Sequence, residues 1–510
     1  MWPQGHRRES LTANLVLGVG SVPLLESQSD VLILPGWENE EPQGGLASAD
    51  QELGGWLGEV GWRGEFRGEA NQVVLVNTLG HLASSRVALL GLGKRAEFCH
   101  NRWRNAVATA CRVLGRHGLR TAALDLADVP LDRAIAAEVA AEGAELSCYR
   151  VGLYRTSGRR DDALHQLQVV GAGEAALRRG QVLGAAKNWA RDLTNEPGNV
   201  LTAPELARRA AEMAGAVGVA CQVLEQPDLE RLEMGAILTV AQGSHTPPRL
   251  IVLRHEPEGA PAAPVLALVG KAVTFDTGGI SLKPAAEMGR MKGDMAGGAA
   301  VLGAMRAIAE LSVPVRVLAL VPAVNNMPGG SAWMPGDVIR AMSGKTIETI
   351  STDAEGRMLL ADAVHYARSL GASHVVDIAT LTGACVVALG HVASGLFGTD
   401  AALVEAIRRC GEAAGEPHWP MPLLPEYREL IRSDIADLKN SGGRTAGAIT
   451  GAWFIREFAG ETPWAHLDIA GSSQLEKARA WAPAGPTGTG VGTFVRLAEE
   501  LAAAAAGAAG

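Results

Sequence analysis

Val269–Asp294 reads VGKAVTFDTGGISLKPAAEMGRMKGD and follows the apolar run Val265-Leu-Ala-Leu-Val269. A short apolar run that stops at glycine predicts a buried strand, and Lys271 stands at its end. Asp276, Lys283 and Asp294 come next, in Gly-rich, loop-like sequence. A second acidic cluster, Ser351-Thr-Asp-Ala-Glu-Gly-Arg357, adds Asp353, Glu355 and Arg357. Each of these charges alone reads as a solvated side chain or a surface ion pair. Gathered at strand ends, the carboxylates would repel one another, and oxygen-rich sites of this kind suit hard or borderline divalent cations. Among such sites, hydrolases of peptides and of phosphates are the leading classes.

The pattern around this stretch repeats strand and helix. Leu250–Leu253, Val315–Val321 and His374–Thr380 read as strands, and Met295–Leu311 and Arg357–Leu370 as helices. Small residues at the start of the first helix (Ala296, Gly297, Gly298, Ala299) allow close packing. Short buried strands joined by helices imply a largely parallel, twisted sheet covered on both faces, with its site beyond the strands' carboxyl ends. Lys345–Thr352 reads as extended and the extension carries on to Glu355, so Asp353 and Glu355, two apart, share a face. Gly356 is read as the turn into the following helix, presenting Arg357 at its first turn. A lysine ligand at position 271 would have to bind as a neutral amine.

The region before residue 170 also alternates: Val31–Leu34, Val73–Val76, Val87–Leu90, Thr121–Asp125 and Leu167–Val170 as strands, Ala96–Gly115 and Leu131–Leu153 as helices. A polar break at Ser157–Asp162 precedes a long helix, Glu174–Leu193. We therefore expect an N-terminal α/β domain over 1–172, a connecting helix over 173–193 and a larger C-terminal catalytic domain over 194–510, with a mainly parallel or mixed sheet flanked by helices. Thr202 is placed to cap the helix entered at Pro204.

With 510 residues the chain exceeds one ordinary core. Its formal net charge of −9 provides no global basic field for nucleic acid or anionic membrane. The six cysteines are scattered without a CxxC pair, against a disulfide framework or a Cys-type zinc site and in favour of a reducing, cytoplasmic compartment. No run reaches the roughly 18 apolar residues of a membrane span. The start, MWPQGHRRES, lacks an apolar signal core, and the Ala-rich tail is expected to fray. Gly18-Val-Gly20-Ser21 begins like a dinucleotide loop, but Pro23 stands where its third glycine belongs, so an ordinary turn is expected. Met342-Ser-Gly-Lys-Thr346 ends like a P-loop but has Ile339 at the upstream glycine position. No G-x-S-x-G or H-E-x-x-H occurs. His81, His100, His117, His365 and His374 read as surface or packing histidines.

VGKAVTFDTGGISLKP, MKGDMAGGAAV and STDAEGR strongly resemble the signatures of the leucyl aminopeptidase family, the cytosol-type metallo-aminopeptidases. RDLTNEPGNVLT, NNMPGGSAWMPGD, DIATLTGACVVALG, LKNSGGRTAGAITGAWFI and WAHLDIAG match as well, in order from Arg191 to Gly492. The resemblance implies two divalent metal ions. One would be held by Asp276, Asp353 and Glu355, with the Asp353 carbonyl. The other would be held by Lys271, Asp276, Asp294 and Glu355. Zinc is the family's usual ion, with Mn²⁺, Mg²⁺ or Co²⁺ exchangeable at the lysine-free site. Lys283 and Arg357 would be catalytic. A metal-bridging hydroxide would attack the peptide carbonyl, with a bicarbonate on Arg357, helped by the Leu381 backbone, as general base. Met291, Thr380 and Gly383 would line the pocket for a leucine-like first residue. Peptide substrates and a homohexamer are implied, with the first domain serving assembly. DNA binding, a second role of some bacterial relatives, is weighed against by the acidic charge, and a two-metal phosphoesterase by the lysine ligand. The chain departs from the family at Ser351 (asparagine), Met358 (leucine), Asn325 (glutamate) and in SSQLEKARAW after Gly471 (Thr-Ala-Trp). None of these is an implied ligand, and the last leaves side-chain preference open.

Overall fold

A computed structural model describes residues 15–152, 154–157 and 162–509. The MWPQGHRRES start, Leu153 and most of the polar break before Asp162 lie outside them. The chain divides into two compact units, Met1–Asn188 with Glu476–Gly485, and Trp189–Leu475 with Pro486–Gly510.

The first unit is built on six strands: β1 (Val16–Gly20), β2 (Val31–Gly36), β3 (Val73–Asn77), β4 (Arg86–Gly91), β5 (Thr121–Asp125) and β6 (Gln166–Val170). Their order is β1-β6-β5-β2-β4-β3. All pairings are parallel except β3 with β4. Alternation along β2 serves both faces. Val31 and Ile33 join a core with Trp103 and Val107 of the helix His100–Arg116 and Val139 of Arg133–Ser147. Leu32 and Leu34 join another with Leu46 and Ala49 of Gly44–Glu52. The stretch carrying Gly18 and Gly20 is an edge strand, not a turn; it pairs with β6 from Val16↔Gln166 to Gly20↔Val170.

The second unit's main sheet contains β7 (Ala220–Leu224), β8 (Arg249–His255), β9 (Val265–Gly270), β10 (Ala272–Asp276) and β11 (Arg316–Asn326). After the short β12 (Val338–Arg340) and β13 (Thr346–Glu348), it gains β14 (His374–Ala379), β15 (Ser394–Gly398) and β16 (His418–Pro420). The small β17 (Leu438–Lys439) precedes its last strand, β18 (Trp464–Asp468). The order is β16-β15-β18-β14-β9-β11-β8-β7, with β10 paired to β11. The centre, β18-β14-β9-β11, is parallel throughout, so its strands end on one side.

β9 is apolar along its length because both its faces are covered; Leu266 to Val269 are fully buried. Ala267 and Val269 share a core with Met358, Leu359 and Val364 of the helix Glu355–Ser369. The helix Ala296–Glu310 also packs on β9. It lies close because its first turn is small: a Cβ on Gly297 would sit 2.2 Å from the Ile378 carbonyl oxygen. Thr202 caps the helix Ala203–Val217, accepting from the Glu205 N–H. The Ala-rich tail extends the last helix, Val491–Ala509; alanine is the best intrinsic helix former. Among the described residues, no helix is long and apolar enough to cross a membrane.

Candidate metal centre

The parallel strands deliver their carboxyl ends to one place. Lys271 directly follows β9, Asp276 ends β10, Asn326 ends β11, Thr380 and Leu381 follow β14, and Asp468 ends β18. A second set of groups arrives on the turn before the helix Glu355–Ser369. Ser351–Ala354 is a turn with Glu355 as the first helical residue, not a continuing strand. Asp353 and Glu355 therefore converge through a turn-to-helix entry and not through the alternation of a strand. Gly356 also differs from expectation. It is an ordinary helical residue, and its missing side chain makes room for Lys271, whose Cδ, Cε and Nζ lie 2.7–2.8 Å from where a Cβ would stand.

Asp276, Asp353 and Glu355 each offer an oxygen within 4.8 Å of the others', the one such group of metal-ligating side chains among the described residues. Lys283 Nζ lies 2.8 Å from Asp276 Oδ2 and 2.5 Å from Asp353 Oδ1. Lys271 Nζ lies 2.7 Å from Glu355 Oε1 and 2.8 Å from Asp294 Oδ2, and donates to the Thr380 carbonyl at 2.8 Å. Asp294 thus joins the cluster through Lys271, and Thr380 Oγ1 donates to its Oδ1 at 2.7 Å. The loop between the lysines needs glycine: Gly278 has φ +85°, and a Cβ there would lie 2.4 Å from the Ser281 carbonyl oxygen.

Electrostatically the site is overloaded with buried carboxylates. Burial, followed by the Asp276 charge, pushes Glu355 above the usual range. Burial likewise raises Asp294 and Asp353, against the pull of the lysines. Burial alone would lower both lysines, but the surrounding carboxylates outweigh it and hold Lys271 and Lys283 above the ordinary lysine value. Lys271 is therefore a charged ammonium in this setting, and binding a cation would require it to give up a proton.

Two atoms test whether further groups fit. Glu355 Oε2 is buried with no hydrogen-bond partner, although buried polar atoms are nearly always paired. Together with Asp276 Oδ2 and Asp353 Oδ1, which meet Lys283 Nζ, this oxygen forms a set that suits hard cations. Arg357 Nη1 donates to the Asn440 carbonyl at 2.9 Å, while its buried Nε has no partner and suits a small oxyanion.

The remaining expected residues lie on the same strand-end side. Leu381 N–H points to Asp468 Oδ1 at 3.2 Å, Gly383 opens the helix Gly383–Leu389, and Met291 accepts the Asp294 N–H on its carbonyl at 3.2 Å. Lys345 of the P-loop-like segment is engaged by Glu457 Oε2 at 2.7 Å.

Sequence reading passed over the buried polar residues behind these groups. Asn440 Oδ1 accepts from Ile350 and Ser351 N–H, and its Nδ2 donates to the Ser351 carbonyl. Asp468 also accepts from Thr382 Oγ1 at 2.7 Å. The signal for Asp468 was a polar residue ending an apolar strand; Asn440, after Leu438-Lys439, carried none.

Comparison with known proteins agrees in both units. The model of the cytosol aminopeptidase family, catalytic domain, matches residues 188–495, and that of its N-terminal domain matches 33–158. A probable cytosol aminopeptidase of Geobacter sulfurreducens is 45% identical over 460 residues, 88% of this chain and 92% of that protein. One from Syntrophotalea carbinolica is 44% identical over 493 residues, 94% of this chain and 99% of the relative. Among solved structures, the bottromycin maturation enzyme BotP in complex with Mn has a TM-score of 0.83 at 35% identity, covering 93% of this chain and 100% of its own. A lysine-to-glutamate mutant of tomato leucine aminopeptidase has a TM-score of 0.88 at 31% identity, covering 96% and 98%.

Proposed function

The chain belongs to the cytosol aminopeptidase family, and from that premise we propose that it is a metal-dependent aminopeptidase releasing leucine-like N-terminal residues from peptides by a two-metal, bicarbonate-assisted hydrolysis. The observation that carries this reading is the convergence of Asp276, Asp353 and Glu355 within 4.8 Å, beside two buried lysines. Asp276, Asp353 and Glu355 would hold one cation. Lys271, Asp276, Asp294 and Glu355 would hold the other. Zn²⁺ or Mn²⁺ fits this donor set, with Mg²⁺ or Co²⁺ at the lysine-free position. Bound there, divalent cations supply Lewis acidity that polarises a carbonyl and acidifies water.

The chain's own residues do the rest. Lys283, with its side chain 23% exposed at the edge of the cluster, would donate to the peptide carbonyl oxygen as negative charge develops on it. Arg357 would hold bicarbonate through its unpartnered Nε. The Leu381 N–H is already directed at Asp468, so that loop helps chiefly by being fixed in place. Met291, Thr380 and Gly383 would border the first-residue pocket. We further propose a functional division at 1–172, 173–193 and 194–510, with the first part serving assembly, and a homohexamer acting in the cytoplasm.

The test is hydrolysis of leucine-p-nitroanilide by chelator-stripped protein resupplied with Zn²⁺ or Mn²⁺, beside Glu355→Ala. Activity should return with metal in the parent chain and stay absent in the variant. Folded parent protein inactive with every metal and every N-terminal residue offered would overturn the reading.

A further inference from the structure

The side chain that decides how Asp276 faces the cluster is not one of the expected ligands. Asn326 is fully buried at the end of β11, and in the parallel ladder it pairs directly with Asp276 at the end of β10. Its Nδ2 carries two N–H bonds and divides them between the two loops that bring carboxylates to the site. One goes to Asp276 Oδ1 at 2.8 Å and the other to the Thr352 carbonyl at 3.0 Å, one residue before Asp353. The Asn326 backbone carbonyl accepts from Thr277, from N–H at 3.0 Å and from Oγ1 at 2.8 Å. The residue therefore grips the 276–277 corner through both its backbone and its side chain.

Asp276 Oδ1 also accepts the Gly278 N–H at 2.8 Å. With two donors on Oδ1, the carboxylate is held so that Oδ2 faces Lys283 and the other acidic groups. A carboxylate fixed on one oxygen presents the other without paying rotational entropy at each binding event. The Asn326 Oδ1 has no hydrogen-bond partner and lies against Gly279, where a Cβ would come within 2.9 Å of it. A carboxamide with a buried, unpaired acceptor is a poor choice for stability alone; here the value lies in its two donors.

We infer that Asn326 is a positioning residue of the metal centre, orienting Asp276 and tying the Asp276 loop to the Thr352–Glu355 turn. This rests on the two-cation reading above. Thr352 provides an internal comparison. Its Oγ1 donates to the Gly278 carbonyl at 2.6 Å and accepts the Ser281 N–H at 2.8 Å. It joins the same two loops with no bond to Asp276.

The experiment titrates chelator-stripped full-length protein with Mn²⁺, reading free Mn²⁺ by its electron paramagnetic resonance signal, for the parent, Asn326→Leu and Thr352→Val. Leu keeps the approximate shape of Asn and removes both donors. Asn326→Leu should bind Mn²⁺ about 10- to 100-fold more weakly, and more weakly than Thr352→Val. Parent-like affinity in Asn326→Leu, or a loss no greater than that of Thr352→Val, overturns the proposal. A lowered melting temperature of the metal-free variant with unchanged affinity shows a purely structural role and overturns it as well. Should Asn326→Leu fail to fold, Asn326→Ala carries the same measurement, and failure of both to fold assigns the residue to folding and rejects the proposal. A parent chain that binds no Mn²⁺ or Zn²⁺ at all would instead sink the two-cation reading itself.

Discussion

Lys271 is held at three points within the centre, and the space it occupies exists because residue 356 has no side chain. Its ammonium meets Glu355, Asp294 and the Thr380 carbonyl within 2.7–2.8 Å, and its methylenes fill the position of a Gly356 Cβ. Gly356 is helical, so alanine there should gain about 0.8–1 kcal/mol of helix propensity. Crowding opposes that gain, because a lysine pinned at three points cannot swing away freely. Overpacking of this kind costs about 1–3 kcal/mol, so Gly356→Ala is expected to lower the melting temperature of metal-free protein, to weaken metal binding and to lower kcat at least tenfold. Calorimetry together with a Zn²⁺ titration checks this, and parent-like binding would show that Lys271 yields to the extra methyl. The residue types of the cluster were legible because charges in Gly-rich sequence at strand ends are unusual. The reason for Gly356 was not. Sequence shows that a glycine is present, but only packing shows whether it relieves the backbone or vacates a volume.

At the scale of elements, apolar runs marked the central strands well. Val31–Leu34, Leu266–Val269 and Ala122–Leu124 are buried on both faces and so carry no polar residue to blur them. β1 and β10 escaped for opposite reasons. β1 lies at a sheet edge, where exposed Val16 and two glycines mimic a turn, and β10 is five residues long, between Lys271 and a Gly-rich loop. The Ser351–Glu355 segment was read as extended because its polar residues carry no periodicity that separates a turn from a strand. The small residues opening the helix Ala296–Glu310 did announce its close packing. Gly297 there faces the Ile378 carbonyl and Gly298 faces Ala272 and Val321, and the helix begins two residues after Asp294. Gly297→Ala should lift the helix start from β14, costing about 1–3 kcal/mol as overpacking does. It should also displace Asp294, so the loss of metal affinity should exceed that of an equally destabilising change at the helix's far end. Equal effects on affinity from the two ends would mean that the helix start does not set Asp294.

At the scale of the molecule, the two units carry separate cores, so unfolding is not expected to be a single two-state transition. The first unit contains a test of its own, far from any metal chemistry. Glu142 is fully enclosed and bridges Arg104 and Lys187, each at 2.8 Å. Burial alone would raise its carboxyl, but the two cations override this and bring it down to about 2. A folded-state value below the unfolded one means stability that is present above about pH 4.5 and lost as pH falls towards 2. Glu142→Gln leaves both cations buried without their counter-ion, at a cost of about 3–5 kcal/mol near neutrality. The difference between parent and variant should therefore be largest at neutral pH and shrink steadily below pH 4.5, where the unfolded parent chain takes up a proton on this carboxylate that the folded state does not bind until about pH 2. Calorimetric scans across pH, followed on the first unit's transition, measure that difference. A gap that stays constant down to pH 3 would mean that shape and hydrogen bonding at Glu142, and not its charge, hold the helices Arg133–Ser147, His100–Arg116 and Glu174–Asn195 to one another.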